Sequence, residues 1–213
     1  MELIALLGRT AAFSFAAGLN LYATVAILGL VSRFKWVELP PQFAVFDNDV
    51  VIVVALVLYF VEFFADKIPY LDTVWDLVHT AIRPLGGAFV AVASVGDASP
   101  AAQGLAALLG GTLAAGSHLT KAGTRAVANT SPEPFSNWIL SLAEDVFVLG
   151  LSTLALKYPV AAAFVVAVCV VLMVVFAAWI VRAVKRRWRQ GRREIREGPL
   201  PASVSEPAIT RER

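Results

Sequence analysis

Six stretches of the chain are apolar over about 18 residues or more, the length a helix needs to cross a bilayer. Residues 10–32 and 159–181 carry no charge at all and are predicted as continuous membrane helices. The other four are interrupted by charge. Residues 50–68 include Glu62 and Asp66, and residues 78–95 include Arg83 followed by Pro84. Residues 104–127, rich in Gly, Ala and Thr, include His118, Lys121 and Arg125, and residues 138–156 include Glu144 and Asp145. The pattern predicts an all-α, polytopic membrane protein of about six spans. Residues 71–78 read as an amphipathic connector with Leu71, Val74, Trp75 and Val78 on its apolar side.

Composition agrees with this class. Of 213 residues, 58% are hydrophobic and 16% charged, against about 45–50% and 25% in a soluble domain. One cysteine and two histidines exclude a disulfide framework and a multi-cysteine metal centre, and no cofactor is implied. The net charge of +2 conceals a split: residues 1–181 carry 8 basic and 12 acidic side chains, residues 182–213 carry 10 and 4. A cationic tail behind the last span is the cytoplasmic flank under the positive-inside rule. With an even number of spans, both termini are expected in the cytoplasm. The tail implies contact with anionic membrane lipids rather than nucleic acid. The Pro- and Ser-containing stretch after Gly198 reads as a disordered end.

The two halves echo each other. SFAAGLNLY at 14–22 and TLAAGSHLT at 112–120 share Ala-Ala-Gly, a polar residue two positions on, and Leu. Each precedes a span with an acidic residue, Glu62 in one half and Glu144 in the other. Three spans per half is an odd number, so a duplicated unit enters the membrane inverted, as in many secondary transporters. The expected organisation is a first three-helix repeat at 1–98, a second at 99–184 and a basic cytoplasmic tail at 185–213. A bundle of 22.8 kDa is thin, and a homodimer is expected.

Charge inside a bilayer carries the candidate chemistry. An Asp, Lys or Arg at a span's centre costs about 2.5–3.5 kcal/mol on insertion scales, so such groups face protein, water or one another. Glu62 and Asp66, four apart, share a helix face, with Asp66 and Lys67 expected near the interface. His118, Lys121 and Arg125 line one stripe, and Ala107, Gly111 and Ala115 form a separate small-residue stripe for close helix contact. Structurally, Lys121 and Arg125 snorkel to the interface and Glu144 pairs with one of them. Functionally, Glu62 and Glu144 carry protons or a cation, His118, Lys121 and Arg125 hold an anionic group, and Asn20 is a neutral polar contact. If the solute is instead a divalent cation, Asp66 and Asp145 join the glutamates. Asp72, Asp76 and His79 also share a helix face and are metal-ligand types. There is no P-loop, G-x-S-x-G, H-E-x-x-H or G-x-G-x-x-G motif, so nothing in the sequence argues for an enzyme.

Several of these segments together resemble a known family. Ala-Ala-Gly-Leu-Asn-Leu-Tyr (16–22), Val-Glu-Phe-Phe-Ala-Asp-Lys-Ile-Pro (61–69), Trp-Asp-Leu-Val-His-Thr (75–80), Arg-Pro-Leu-Gly-Gly (83–87), His-Leu-Thr-Lys-Ala-Gly (118–123) and Ser-Leu-Ala-Glu-Asp-Val (141–146) are similar to a bacterial membrane family, the domain of unknown function 4126. The resemblance covers roughly residues 8–180 and implies a small polytopic protein of the bacterial inner membrane, with no established activity. Glu62-x-x-x-Asp66-Lys67 is also similar to the E-x-G-D-K/R-T/S signature of small manganese/calcium–proton exchangers, but is one residue longer and lacks the Gly. The expected function is a small secondary transporter or exchanger of a charged solute. The alternatives are a membrane scaffold docking partners through its basic tail, and an intramembrane lipid-handling enzyme.

Overall fold

The computed structural model describes residues 2–68, 70–130 and 135–197. Among them the regular structure is entirely helical: α1 (Glu2–Leu19), α2 (Leu21–Phe34), a short 3₁₀ helix (Pro41–Phe46), α3 (Asp49–Ala65), α4 (Leu71–Val95), α5 (Pro100–Ala128), α6 (Phe135–Lys157) and α7 (Pro159–Glu197). Three stretches, Leu71–Val95, Phe135–Lys157 and Pro159–Gln190, are long and apolar enough to cross a membrane, and Leu3–Leu19 and Leu21–Phe34 are shorter apolar helices. The chain divides between Val174 and Val175 into a helical body and the rest of α7. In that second unit Lys185, Arg186, Arg187 and Arg189 are all exposed. The stretch after Gly198 lies outside the described residues.

The first predicted span is not one helix. It breaks at Asn20, whose backbone is extended (φ −147°, ψ 97°) and whose side-chain oxygen accepts the Ala23 N–H at 2.8 Å. Asn in that position caps α2 and satisfies one of the N–H groups that a new helix leaves unpaired. The equivalent place in the second half behaves differently: α5 runs unbroken through Gly116, Ser117 and His118. The two echoing segments nevertheless meet. Ser117 Oγ donates to the Phe15 carbonyl at 2.9 Å, and Gly18 lies so close to Ala114 and Ser117 that a Cβ there would come within 2.0 Å of Ser117 Oγ.

Helix α4 joins the expected connector at 71–78 and the span at 78–95 into one helix. It starts at Leu71, and the stripe Asp72, Asp76, His79, Arg83 is buried, while Leu71, Val74 and Val78 are exposed. In a membrane the apolar face is the outer one, because lipid is as apolar as a leucine side chain. Helix α3 follows suit: Val50, Val53, Val57, Phe60 and Phe64 are exposed, and Glu62 is fully buried. The small-residue face of α5 is broader than the expected stripe: Gly111 lies against Pro84 and Ala88 of α4. Ala106, Gly110 and Ala114 are the buried members, and Gly110 sits against Gly87 and Ala91 of α4. They continue directly into Ser117, His118, Lys121 and Arg125, also buried. One face of α5 is therefore small at one end and charged at the other.

The apolar core lies to the other side of α1. Phe13, Ala12, Ala16 and Leu28 are fully buried. The 3₁₀ helix inserts Phe43 and Phe46 there, and Phe43 meets Phe13 edge-on with ring centroids 5.9 Å apart. Arg33 secures the same loop from outside through Asp47 and Asp49. Exposed pairs of that kind contribute little to stability.

Candidate functional site

The break at Asn20 leaves carbonyl groups at the end of α1 without helical partners, and a helix C-terminus attracts cations. Two cations from other helices fill this role. Arg83 of α4 donates to the Gly18 carbonyl at 3.2 Å, and Lys121 of α5 donates to the Leu19 carbonyl at 3.1 Å. Both side chains are essentially inaccessible. The expectation that Lys121 and Arg125 snorkel outward is not met, since both are buried.

Carboxylates converge on these cations from three helices. Arg83 meets Glu62 at 2.8 Å and Asp76 at 3.5 Å. Lys121 lies 2.8 Å from Asp66, 3.4 Å from Glu62 and 3.4 Å from Glu144. Arg125 binds Glu144 at 2.6 Å and the Asp66 carboxylate at 3.1 Å, donates to the Asp66 carbonyl at 2.7 Å, and stands 4.0 Å from Asp72. Asp66, at the end of α3, is 3% exposed and holds two cations at once. Glu144 pairs with both cations of the stripe rather than with one.

Among the described residues five carboxylates, Glu62, Asp66, Asp72, Asp76 and Glu144, thus face three cations, Arg83, Lys121 and Arg125. The formal balance is two negative charges in excess. His118 does not offset it: its Nδ1 takes a hydrogen bond from Arg83 at 2.8 Å, and arginine has only donors, so this nitrogen is unprotonated. The opposite nitrogen then donates to Thr80 Oγ1 at 3.2 Å, and Thr80 donates to the Asp76 carbonyl. Within this cluster Glu62 Oε2, Asp66 Oδ1 and Asp76 Oδ1 are buried without a hydrogen-bond partner. Arg83 Nε and Arg125 Nε are likewise buried without a hydrogen-bond partner, and Asp76 Oδ1 faces Arg83 at 3.5 Å, so the network holds unsatisfied donors as well as unsatisfied acceptors.

The remaining candidates separate into neighbouring arrangements. Asp72 is held by the Asn129 amide at 3.0 Å, and Asn137 in turn donates to Asn129. His79 Nδ1 lies 2.7 Å from the Trp75 carbonyl and its Nε2 lies 2.9 Å from the Tyr22 hydroxyl. The metal trio of Asp72, Asp76 and His79 does not form: each points to a different partner. Among the described residues no three His, Cys, Asp or Glu side chains are grouped to hold a metal ion. Asp145 stands apart from the network and accepts a hydrogen bond from Asn20 at 3.2 Å. Adjacent residues on a helix point about 100° apart, so Glu144 and Asp145 serve different surroundings. Sequence reading overlooked Arg83 as a member of the site, although its place one turn beyond His79 on the polar stripe of α4 was visible.

A search of the curated proteins and of the solved structures returns no match to the chain. Residues 7–180, which hold every charged side chain of the network, match the family profile described as domain of unknown function 4126. The chain belongs to that family.

Proposed function

We propose that this protein is a small secondary transporter or exchanger, in which buried carboxylates take up and release protons as a charged solute moves. The observation that carries this reading is the excess of carboxylates over cations in a buried network built around a broken helix. A purely structural network gains nothing from two uncompensated charges, because an unpaired buried charge is strongly unfavourable. Exchangeable protons resolve the imbalance. Broken helices whose ends face polar groups at mid-membrane are also the usual building blocks of transporter sites. The cations are already engaged by internal carboxylates, which favours a positively charged solute over an anionic one.

In this reading the chain crosses the bacterial inner membrane six times, the broken pair α1–α2 counting as one crossing, with both termini in the cytoplasm. An inverted repeat is supported by the direct contact between the 14–22 and 112–120 segments. Their different backbones, broken in one and continuous in the other, give the two halves unequal roles.

The test is flux in proteoliposomes, with current and internal pH recorded together so that electroneutral exchange is also seen. Proton, divalent-cation, small organic-cation and small organic-anion pulses are compared for wild type and Glu144→Gln. The expected result is solute-dependent proton movement that the variant largely loses while keeping its helical content. No proton movement with any solute, from folded wild-type protein, would overturn the reading.

A further inference from the structure

Asp145 lines a cleft of about 340 Å³ between α2, α3 and α6. The rest of the wall is Ala23, Ala26, Ile27, Leu30, Leu56 and similar apolar side chains, with the rings of Tyr59 and Phe63 on the α3 side. Asp145 is the one charged residue of that lining. Its Oδ1 accepts from Asn20, its Oδ2 is buried without a partner, and among the described residues it forms no ion pair. Lys121, Lys67 and Asp66 act on it only at longer range. An ionised carboxylate in such surroundings is costly, and two things relieve it: a proton, or a cation. Aromatic faces attract cations; the Phe63 ring already carries the Lys67 ammonium, 3.0 Å from its centroid, and Tyr59 supplies a second ring in the lining.

We propose that this cleft binds monovalent organic cations, an ammonium group carried on an apolar body, with Asp145 as the counter-charge. The proposal rests on the transporter reading and names its solute class. Binding is an exchange: the protonated Asp145 carboxyl releases its proton, and the resulting carboxylate pairs with the ligand's ammonium. Coupling to the charge network has a physical route. Asn20 donates to Asp145 with its nitrogen while its oxygen caps α2, and the α1 carbonyls just before it are held by Arg83 and Lys121. A ligand that draws Asp145 away from Asn20 therefore acts on the helix break itself. The volume accommodates a phenyl-substituted or trialkylated ammonium, and the apolar walls recognise its hydrocarbon portion without directional contacts.

The test is binding of benzyltriethylammonium to the full chain in detergent by isothermal titration calorimetry, with benzyltriethylsilane as its uncharged isostere. Wild type is expected to bind the cation in preference to the silane, more weakly as pH falls because protons compete. Asp145→Asn, which keeps a group able to accept from Asn20, is expected to weaken cation binding by about tenfold or more, the loss of one charge-assisted contact. Asp145→Glu is expected to retain binding, and Leu149→Trp, which narrows the cleft without touching its charge, to reduce it. Equal binding of cation and silane, or wild-type affinity in folded Asp145→Asn and Leu149→Trp, would overturn the proposal. Cation binding without any proteoliposome flux would leave the site standing and remove the transporter. Flux with other solutes but no cation binding would do the reverse.

Discussion

Arg83→Met is expected to destabilise the helical body by about 3–5 kcal/mol, the cost of removing one partner from a buried ion pair. The methionine is similar in length and adds no charge, so the loss is electrostatic rather than one of volume. Arg83 is fully buried and serves four groups: Glu62, Asp76, the Gly18 carbonyl and His118. Its removal raises the excess of negative charge from two to three and leaves the end of α1 short of a donor. Glu62 keeps Lys121 at 3.4 Å, but Lys121 is already shared with Asp66 and Glu144. The measurement is unfolding in mixed micelles followed by helical circular dichroism. Adding Glu62→Gln to the variant should recover part of the loss, since residues in one charge network couple by about 0.5–3 kcal/mol. A double variant no more stable than Arg83→Met would mean that the carboxylate is not the group left uncompensated.

Gly18→Ala is expected to cost about 1–3 kcal/mol, the range for forcing an extra methyl group into a packed interior, and to impair flux as well. A Cβ at position 18 would lie 2.2 Å from the Ala114 carbonyl oxygen and 2.7 Å from the Ala114 Cα. Backbone atoms cannot swing aside, so α1 and α5 must part. Parting them lengthens the bonds from Arg83 and Lys121 to the α1 carbonyls, which ties this packing contact to the charge network. Gly104→Ala is the control on the same helix as Ala114. A Cβ there meets nothing within 4 Å, and replacing a helical Gly by Ala favours the helix by about 0.5–1 kcal/mol. The comparison uses the same unfolding assay together with proteoliposome flux. Equal effects at the two positions would show that the close approach at Gly18 carries no weight.

Much of this architecture is legible in the sequence, and the parts that are not have physical causes. The helices with charged residues inside apolar runs were visible, and so was the grouping of His118, Lys121 and Arg125 on one face. The break at Asn20 was hidden because residues 10–32 are uncharged, and hydropathy does not register a single amide. The available signal was local: Asn ahead of an apolar run is a good N-cap. The pattern puts Asp72, Asp76 and His79 on one face of α4 and the apolar residues on the other, but it does not say which face turns inward. With lipid outside, Asp72, Asp76, His79 and Arg83 turn inward and Val74 and Val78 outward. The small-residue stripe of α5 is legible in part: Gly111 does meet α4, at Pro84 and Ala88, but Gly110 approaches that helix more closely, and periodicity does not rank the two. Which helices adjoin is tertiary information, and it decides that Glu62, Asp66 and Glu144 share Lys121.

The excess of two negative charges is the centre of this account, and infrared difference spectroscopy of the reconstituted protein measures it directly. The carbonyl stretch of a protonated carboxylic acid is separate from that of a carboxylate. A protonated-carboxyl band is expected in wild type that diminishes as pH rises and that shrinks in Asp76→Asn. A wild-type spectrum with every buried carboxylate ionised across the whole pH range would contradict it, because no exchangeable proton would then be present to couple.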